Sequence, residues 1–475
     1  MAPISEQAAI RHLLRRFGLG VSPQDLAAFG SGSYRQAVEK LLEPGPDGYS
    51  LTLWDWRNRE NDNLNLRQAQ YQWYSRLLVT RRPLQERMTI FWHHHFATSG
   101  EKVTSPFAMT EHIDTLRANA LGPFPKLLHA VSKDPAMLFW LDNHLNTKGK
   151  PNENFAREVM ELFTLGIGHY TEEDIQEAAR AFTGWSLAAP RDNGSFAIVR
   201  GANIPNRRDL QFMFDRKNHD EGTKSVIGQT GQFNGDDILD LLCRNPQTTR
   251  FLVKKIWEWF VYPEPERALL EQLSTSFRKS GLSVSVLLRE IMLSPEFRSE
   301  KAMRAVVKSP VDLCVGTLRA LGAGEMFLKE FNREDDYRKS PKATNPMGFS
   351  ITASKAMGME LMFPPDVAGW KDGSAWISTA TVIERLKWAR AIFGGNNIRT
   401  FRWPAWPLFE SDPRVESAAK VLCELFDYDA SPEVFASLVA AGQDASNGPV
   451  TQRNANEVAA RISQLMFGAP DFHLI

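Results

Sequence analysis

The residues best suited to chemistry crowd into one stretch, Lys148-Gly-Lys-Pro-Asn-Glu-Asn-Phe-Ala-Arg-Glu-Val-Met-Glu-Leu-Phe-Thr-Leu-Gly166. Pro151 and Asn152 open a helix, Glu153 falls in its first turn, where a negative charge suits the dipole, and Gly166 stops it. At about 100° per residue from Phe155, the apolar face gathers Phe155, Val159, Leu162, Phe163 and Leu165. Glu158 lands at about 300° on that wheel, between Leu165 and Leu162, so a carboxyl group is aimed at the buried side. Asn154 and Glu161 border it, and Arg157 lies about 100° away. A buried carboxylate must be paired, protonated or bound to a metal. Two expectations follow: an ion pair with an arginine of another helix, such as Arg15 or Arg16, or an acid/base with a tuned pKa.

Acid/base cleavage by two carboxyls requires a partner about 5 to 10 Å away. Glu153 and Asp174 are the candidates, with His95 or His219 orienting them. Thr171 and Asp174 also form a capping-box pattern, which by itself accounts for acids in that first turn. In Phe91-Trp-His-His-His-Phe96 the apolar series Leu84, Met88, Phe91, Trp92 continues at His95, which should face inward, with His93 roughly opposite. Adjacent helical histidines cannot converge on one ion, so the run alone is no three-histidine metal site; His95 is expected either as a core histidine with a hydrogen-bond partner, the commoner outcome, or as a group that holds a carboxylate or gives one ligand. Asn218-His-Asp-Glu-Gly222 places His219 and Asp220 in a Gly-closed turn with Lys224 beside it, either a structural turn or a cover over a polar site. Trp185, Trp370 and Trp376 sit in irregular segments, where indoles either stack on sugar rings or pack the loop.

Other templates are missing from the sequence: H-E-x-x-H, E-x-x-H, G-x-S-x-G, the phosphate-binding P-loop and the dinucleotide glycine fingerprint. Three cysteines, at 243, 314 and 423, are too sparse for a disulfide framework or a zinc knuckle. No cofactor is evident; a divalent metal through His95 or His219 and these carboxylates is the one option, and no ligand spacing supports it. The 56 basic residues balance 56 acidic ones, so no basic field favours nucleic acid. With 43% hydrophobic and 24% charged residues in 475, the chain can bury a large core. No apolar run is long enough to span a membrane, and the N-terminus shows no export signal, which makes a cytoplasmic location the default from residues alone.

The elements that must position these residues are mostly helices. Apolar spacings predict them at 6–17, 23–29, 34–43, 64–80, 83–96, 107–119, 124–132, 152–165, 172–183, 235–243, 246–261, 265–279, 283–293, 309–321, 350–357 and 379–393, with three more after 413. The insert 195–231 is expected to carry a small β-hairpin, with 210–214 and 225–228 on either side of the 218–222 turn, or else an irregular flap. Prolines, glycines and tryptophans make 363–378 an irregular loop. The expected class is mainly α: one large multi-helix domain over 1–395, then a helical extension over 396–475 set off by Gly394-Gly-Asn-Asn397.

Several phrases together carry a resemblance. They are Arg11-His-Leu-Leu-Arg-Arg-Phe-Gly-Leu-Gly20, Trp92-His-His-His-Phe96, Gly149 to Glu158 with Glu161-Leu-Phe-Thr-Leu-Gly166, and Tyr170-Thr-Glu-Glu-Asp174 through Trp185. His219-Asp-Glu-Gly-Thr-Lys224, Gly235-Asp-Asp-Ile238, Ser309-Pro-Val-Asp312, Pro364-Pro-Asp-Val-Ala-Gly-Trp370 and Ala375-Trp-Ile-Ser-Thr379 follow in order. The chain resembles a large bacterial family catalogued as domain of unknown function number eighteen hundred. His94 and Asp366 stand where that pattern more often has asparagine. The resemblance implies export to the periplasm or beyond, and genes beside one for a sulfatase- and phosphatase-like protein. It therefore implies a role near polysaccharides or polyanions.

Two functions are expected. The first is a hydrolase or lyase on a carbohydrate polymer or similar polar substrate. Glu158, Glu153, Asp174 and His95 would do the chemistry, and Glu161, Arg157, His219, Asp220, Lys224, Trp185, Trp370 and Trp376 would bind substrate. The second is a non-catalytic binding or assembly partner of a sulfatase-like protein, the polar motifs then serving as structural pairs.

Overall fold

A computed structural model describes residues 5–43, 45–46, 64–191, 193–324, 346–371, 373–394 and 403–475. The architecture is mainly α, with two small sheets. Helix starts follow local chemistry. Ser33 with Gln36, Asn65 with Gln68, Thr171 with Asp174, Asn234 with Asp237 and Ser309 with Asp312 each close a reciprocal capping box. Proline occupies the first turn of Pro83–His95, Pro106–Asn119, Pro246–Phe260 and Pro432–Ser446, where its missing N–H costs nothing.

Pro83–His95 is the centre of the body, with every residue except Gln85 buried. A helix buried all round must settle its polar groups internally. Glu86 accepts from Trp73 Nε1 at 3.1 Å and from the Arg117 guanidinium, and Arg87 pairs with Asp312. Pro106–Asn119 packs beside it, followed by Phe124–Ser132, Pro135–Trp140 and the Glu153 to Ala181 hairpin.

The strands pair differently from the sequence expectation. Gln211–Phe214 does not meet 225–228; it lies antiparallel to Trp185–Pro190, whose other edge holds Phe196–Ile198. Lys224–Val226 instead turns back onto Gln229–Gly231 through Ile227 (φ 49°) and Gly228 (φ 70°). Two consecutive left-handed residues make a two-residue turn whose twist matches the strands, so local turn geometry outcompetes the longer pairing.

The expected break at Gly394–Asn397 falls largely outside the described residues. Beyond it, Ala455–Gly468 packs on Thr379–Gly394. The chain end enters the body, where Ile475 N donates to Val306 O at 2.8 Å and Lys308 N to His473 O at 2.7 Å.

Candidate functional site

The expected helix over 152–165 divides at Glu158. Glu153–Glu158 is α-helical, and Val159–Thr164 is a π-helical turn, with Leu165 N and Thr164 Oγ1 each reaching five residues back, to Met160 O at 2.8 Å and Val159 O at 2.6 Å. Such turns carry an extra residue, rotate the side chains that follow and recur at functional sites. Phe155, Val159, Phe163 and Leu165 are buried as the wheel predicts, whereas Glu158 is only partly buried, at the rim of the apolar face.

Glu158 carries no hydrogen bond or ion pair to any described residue, and the anticipated partners are engaged elsewhere. Arg15 pairs with Asp427, and Arg16 donates to the carbonyls of Phe260, Val261 and Ile475. Burial and the neighbouring charge of Glu161 push the Glu158 carboxyl up to about 7, against a smaller opposing pull from Arg157. Glu161 itself accepts from the Tyr170 hydroxyl across the turn. Arg157 is turned away: it forks onto both Glu172 oxygens at 2.8 and 2.7 Å and touches Glu153 at 3.2 Å. Two side chains that sequence reasoning left unassigned, Tyr170 and Glu172, therefore complete this surface. They come from the chain beyond Gly166, and no spacing within one helix signals them.

The structure places Asp174 differently. Its Oδ2 accepts from Thr171 N at 2.9 Å and Thr171 Oγ1 at 2.8 Å, and its Oδ1 accepts from Ile227 N at 2.7 Å. Both oxygens cap a helix and brace the left-handed turn residue, so Asp174 is corrected from a partner carboxylate to a structural one. Glu153, tied to Arg157, remains on the same helix as Glu158.

His95 is buried as expected, but it does not orient a carboxyl. Its Nε2 donates to Phe163 O at 3.1 Å, and it is enclosed by Phe91, Trp92, Phe96 and Phe163. Burial, then Lys255, holds it well below the usual histidine range, hence neutral. His93 Nε2 accepts from Met362 N at 3.1 Å and His94 Nδ1 from Trp370 N at 3.2 Å, so this run pins the irregular loop to the central helix. Only neutral imidazoles can accept these bonds, and burial lowers both rings' pKa, that of His94 to about 3.

The 215–225 segment is a braced turn rather than an open cover. His219 Nδ1 donates to Thr183 O at 2.8 Å, Asp220 pairs with Arg180 at 2.9 Å, and Lys224 is buried with Nζ on the carbonyls of Asp220 and Gly222. Arg180 draws the Asp220 carboxyl down to about 2. The three tryptophans are also corrected as sugar platforms. Trp185, Trp370 and Trp376 are 2%, 4% and 5% exposed and lie in the core, so their faces are covered by protein. Among the described residues, no group of three His, Cys, Asp or Glu is placed to hold a metal ion.

Of the residues singled out, Glu153, Arg157, Glu158 and Glu161 share one surface with Tyr170 and Glu172. His95 backs that segment from the core through Phe163 O. The 363–378 loop is fastened to the opposite polar face of the histidine run, and His219, Asp220 and Lys224 gather at the far end of Glu172–Ala181.

No helix of the described residues is long and apolar enough to cross a membrane. Neither a curated protein nor a solved structure matches the chain. A family model described as "Protein of unknown function (DUF1800)" matches residues 12–474, from the first helix to the chain end that enters the body. The chain therefore belongs to the DUF1800 family.

Proposed function

We propose that the chain is a hydrolase or lyase acting on a carbohydrate polymer or similar polar substrate, with Glu158 as its general acid/base. One observation carries this reading: Glu158 is a partly buried carboxyl without a partner among the described residues, poised at about 7, beside Glu161 and its Tyr170 clasp. A carboxyl at that poise can deliver a proton to a leaving oxygen near neutral pH, where an ordinary glutamate is already ionised. Glu161, three residues on, is the second carboxyl of the pair. The Arg157 to Glu172 fork fixes the charge border that a polar substrate would meet. An extracytoplasmic location, implied by the family resemblance, would put this surface within reach of polysaccharides.

The test is a screen of purified protein against polysaccharides and their sulfated forms, comparing wild type with Glu158→Gln and Glu161→Gln. Wild-type cleavage that drops at least 100-fold in Glu158→Gln supports the reading; full activity in Glu158→Gln sinks it.

A second reading, a binding or assembly partner of a sulfatase-like protein, is favoured by Ile167. It stands 78% exposed at the hairpin tip between left-handed Gly166 and Gly168. Loss of partner capture in Ile167→Asp, with cleavage undetectable in wild type, would select it.

A further inference from the structure

The turn after the Pro432–Ser446 helix carries an inference independent of the Glu158 surface. Asparagine followed by glycine is the step at which a backbone nitrogen most easily reaches a side-chain amide, because glycine presents no Cβ to block the approach. The sequence holds three such steps, Asn193-Gly194, Asn234-Gly235 and Asn447-Gly448. The fold treats them differently.

At the first, Asn193 Oδ1 accepts from Ser195 N at 3.1 Å and Ser195 Oγ at 2.7 Å, and the Gly194 N–H is given to Arg191 O at 2.9 Å. At the second, Asn234 Oδ1 caps the Gly235–Arg244 helix, accepting from Asp236 N at 2.7 Å and Asp237 N at 3.3 Å. Gly235 is buried there, and a Cβ on it would lie 2.4 Å from the Trp185 ring. In both, the side chain is clamped, and any reaction must first break those bonds.

Asn447 has neither restraint. Asn447 and Gly448 are both exposed, and a Gly448 Cβ would meet nothing within 4 Å. Neither the Asn447 carboxamide nor the Gly448 N–H has a partner among the described residues. Asn447 closes the helix at φ 50°, in the left-handed region that asparagine tolerates, and Gly448 follows at φ 143°. The shoulders of this turn are held. Asn454 Nδ2 donates to Ser446 O at 3.5 Å and to Pro449 O at 3.3 Å, and Val450 N donates to Pro413 O at 2.8 Å. Only the tip is free to rotate its amide onto the neighbouring nitrogen.

We propose that Asn447 is a modification site that deamidates through a succinimide formed with Gly448. Solvent base takes the Gly448 N proton, and that nitrogen forms a bond to Asn447 Cγ. The tetrahedral centre collapses with cleavage of the Cγ–Nδ2 bond, and Nδ2 takes a proton from water and leaves as ammonia. A second water adds to one imide carbonyl and breaks its bond to the ring nitrogen, which is reprotonated. The product at position 447 is aspartate or, with the chain rerouted through the side-chain carbon, isoaspartate. Either one places a carboxylate at the C-terminal end of the Pro432–Ser446 helix, where the dipole disfavours negative charge. Isoaspartate also lengthens the backbone between the two carbonyls that Asn454 spans.

The experiment uses the full chain. Protein is incubated in ¹⁸O-water at pH 8.5 and 37 °C, and the three Asn–Gly peptides are followed by mass spectrometry. A parallel sample is unfolded in urea, where packing restrains none of the three. Methylation by an isoaspartyl methyltransferase reads isoaspartate separately. In the folded protein Asn447 is expected to take up ¹⁸O at least 10-fold faster than Asn193 or Asn234, and in urea the three rates should converge. Asn447→Gln, which would have to close a six-membered ring, should remove most of the methyl acceptor from the folded chain. No product at position 447, equal rates at the three sites, or a ranking led by Asn193 or Asn234 overturns the proposal. So does a ranking that persists in urea, since the local sequence rather than the fold would then select the site.

Discussion

Gly369 and His94 stand so close that a Cβ on residue 369 would lie 2.4 Å from His94 Nδ1, the atom that accepts the Trp370 N–H at 3.2 Å. Gly369 also has φ +90°, a region that costs a side chain strain. The glycine thus lets the irregular loop press its backbone onto the central helix. Gly369→Ala is expected to lose about 2–4 kcal/mol from strain plus the displaced hydrogen bond. Gly149→Ala, at φ +80° with nothing within 4 Å, should lose only about 1 kcal/mol. Urea titration of both variants checks this, and equal losses would remove the role assigned to His94.

Glu158 makes stability depend on pH in a definite direction. Its folded pKa lies above the unfolded value, so ionisation opposes folding, and its contribution declines as pH rises from about 4.5 to about 7. Glu158→Gln should match wild type at pH 4 and be the more stable at pH 8. Thermal melts at both values read this without any substrate.

His129 works in the opposite sense. Its Nδ1 and Nε2 each meet a carboxylate at 2.9 Å, those of Asp236 and Asp240, joining Phe124–Ser132 to Gly235–Arg244. The bond to Asp236 first, then that to Asp240, raises its pKa despite partial burial. The stabilisation is complete below the unfolded value near 6.5 and is lost as pH rises through the higher folded value. His129→Gln should therefore cost stability at pH 6 and little at pH 9. A loss that is the same at both pH values would contradict the charged clasp.

Arg180 braces the turn that carries His219. It pairs with Asp220 at 2.9 Å and Glu177 at 2.7 Å and donates to Thr223 O at 3.2 Å. Arg180→Ala should cost about 2 kcal/mol, since it strips charge-assisted bonds. Limited proteolysis should then cut within 215–231 at a rate that wild type resists.

Trp376 is 5% exposed in the core, so Trp376→Ala is expected to cost about 3–5 kcal/mol. Polysaccharide affinity measured on the folded fraction should stay unchanged. A selective loss of binding with an intact melting profile would restore a sugar-stacking role.

Much of the fold was legible because helix signals are local. The periodicity at 83–96 and 246–261 and the pairs Thr171 with Asp174 and Ser309 with Asp312 lie within a turn or two of chain, and the helices form there. The strands were less legible. Gln211–Phe214 pairs with Trp185–Pro190 across the 191–210 connection, and nothing in either segment names the other. The π-helical turn at Val159–Thr164 escaped as well, because a wheel at fixed angle assumes the regularity that the extra residue breaks.

The candidate site divides along the same line. The residues themselves settled that a carboxyl at position 158 borders an apolar face, because the face is set by neighbours within one helix. The tertiary structure decided what each polar side chain is bonded to. It gave the oxygens of Asp174 to Thr171 and Ile227, gave His94 to Trp370, buried three tryptophans, and left Glu158 without a partner among the described residues. The reason is physical. A hydrogen bond or a buried ring is satisfied by whichever group the folded chain brings within about 3–4 Å, and that proximity is a property of the whole packing.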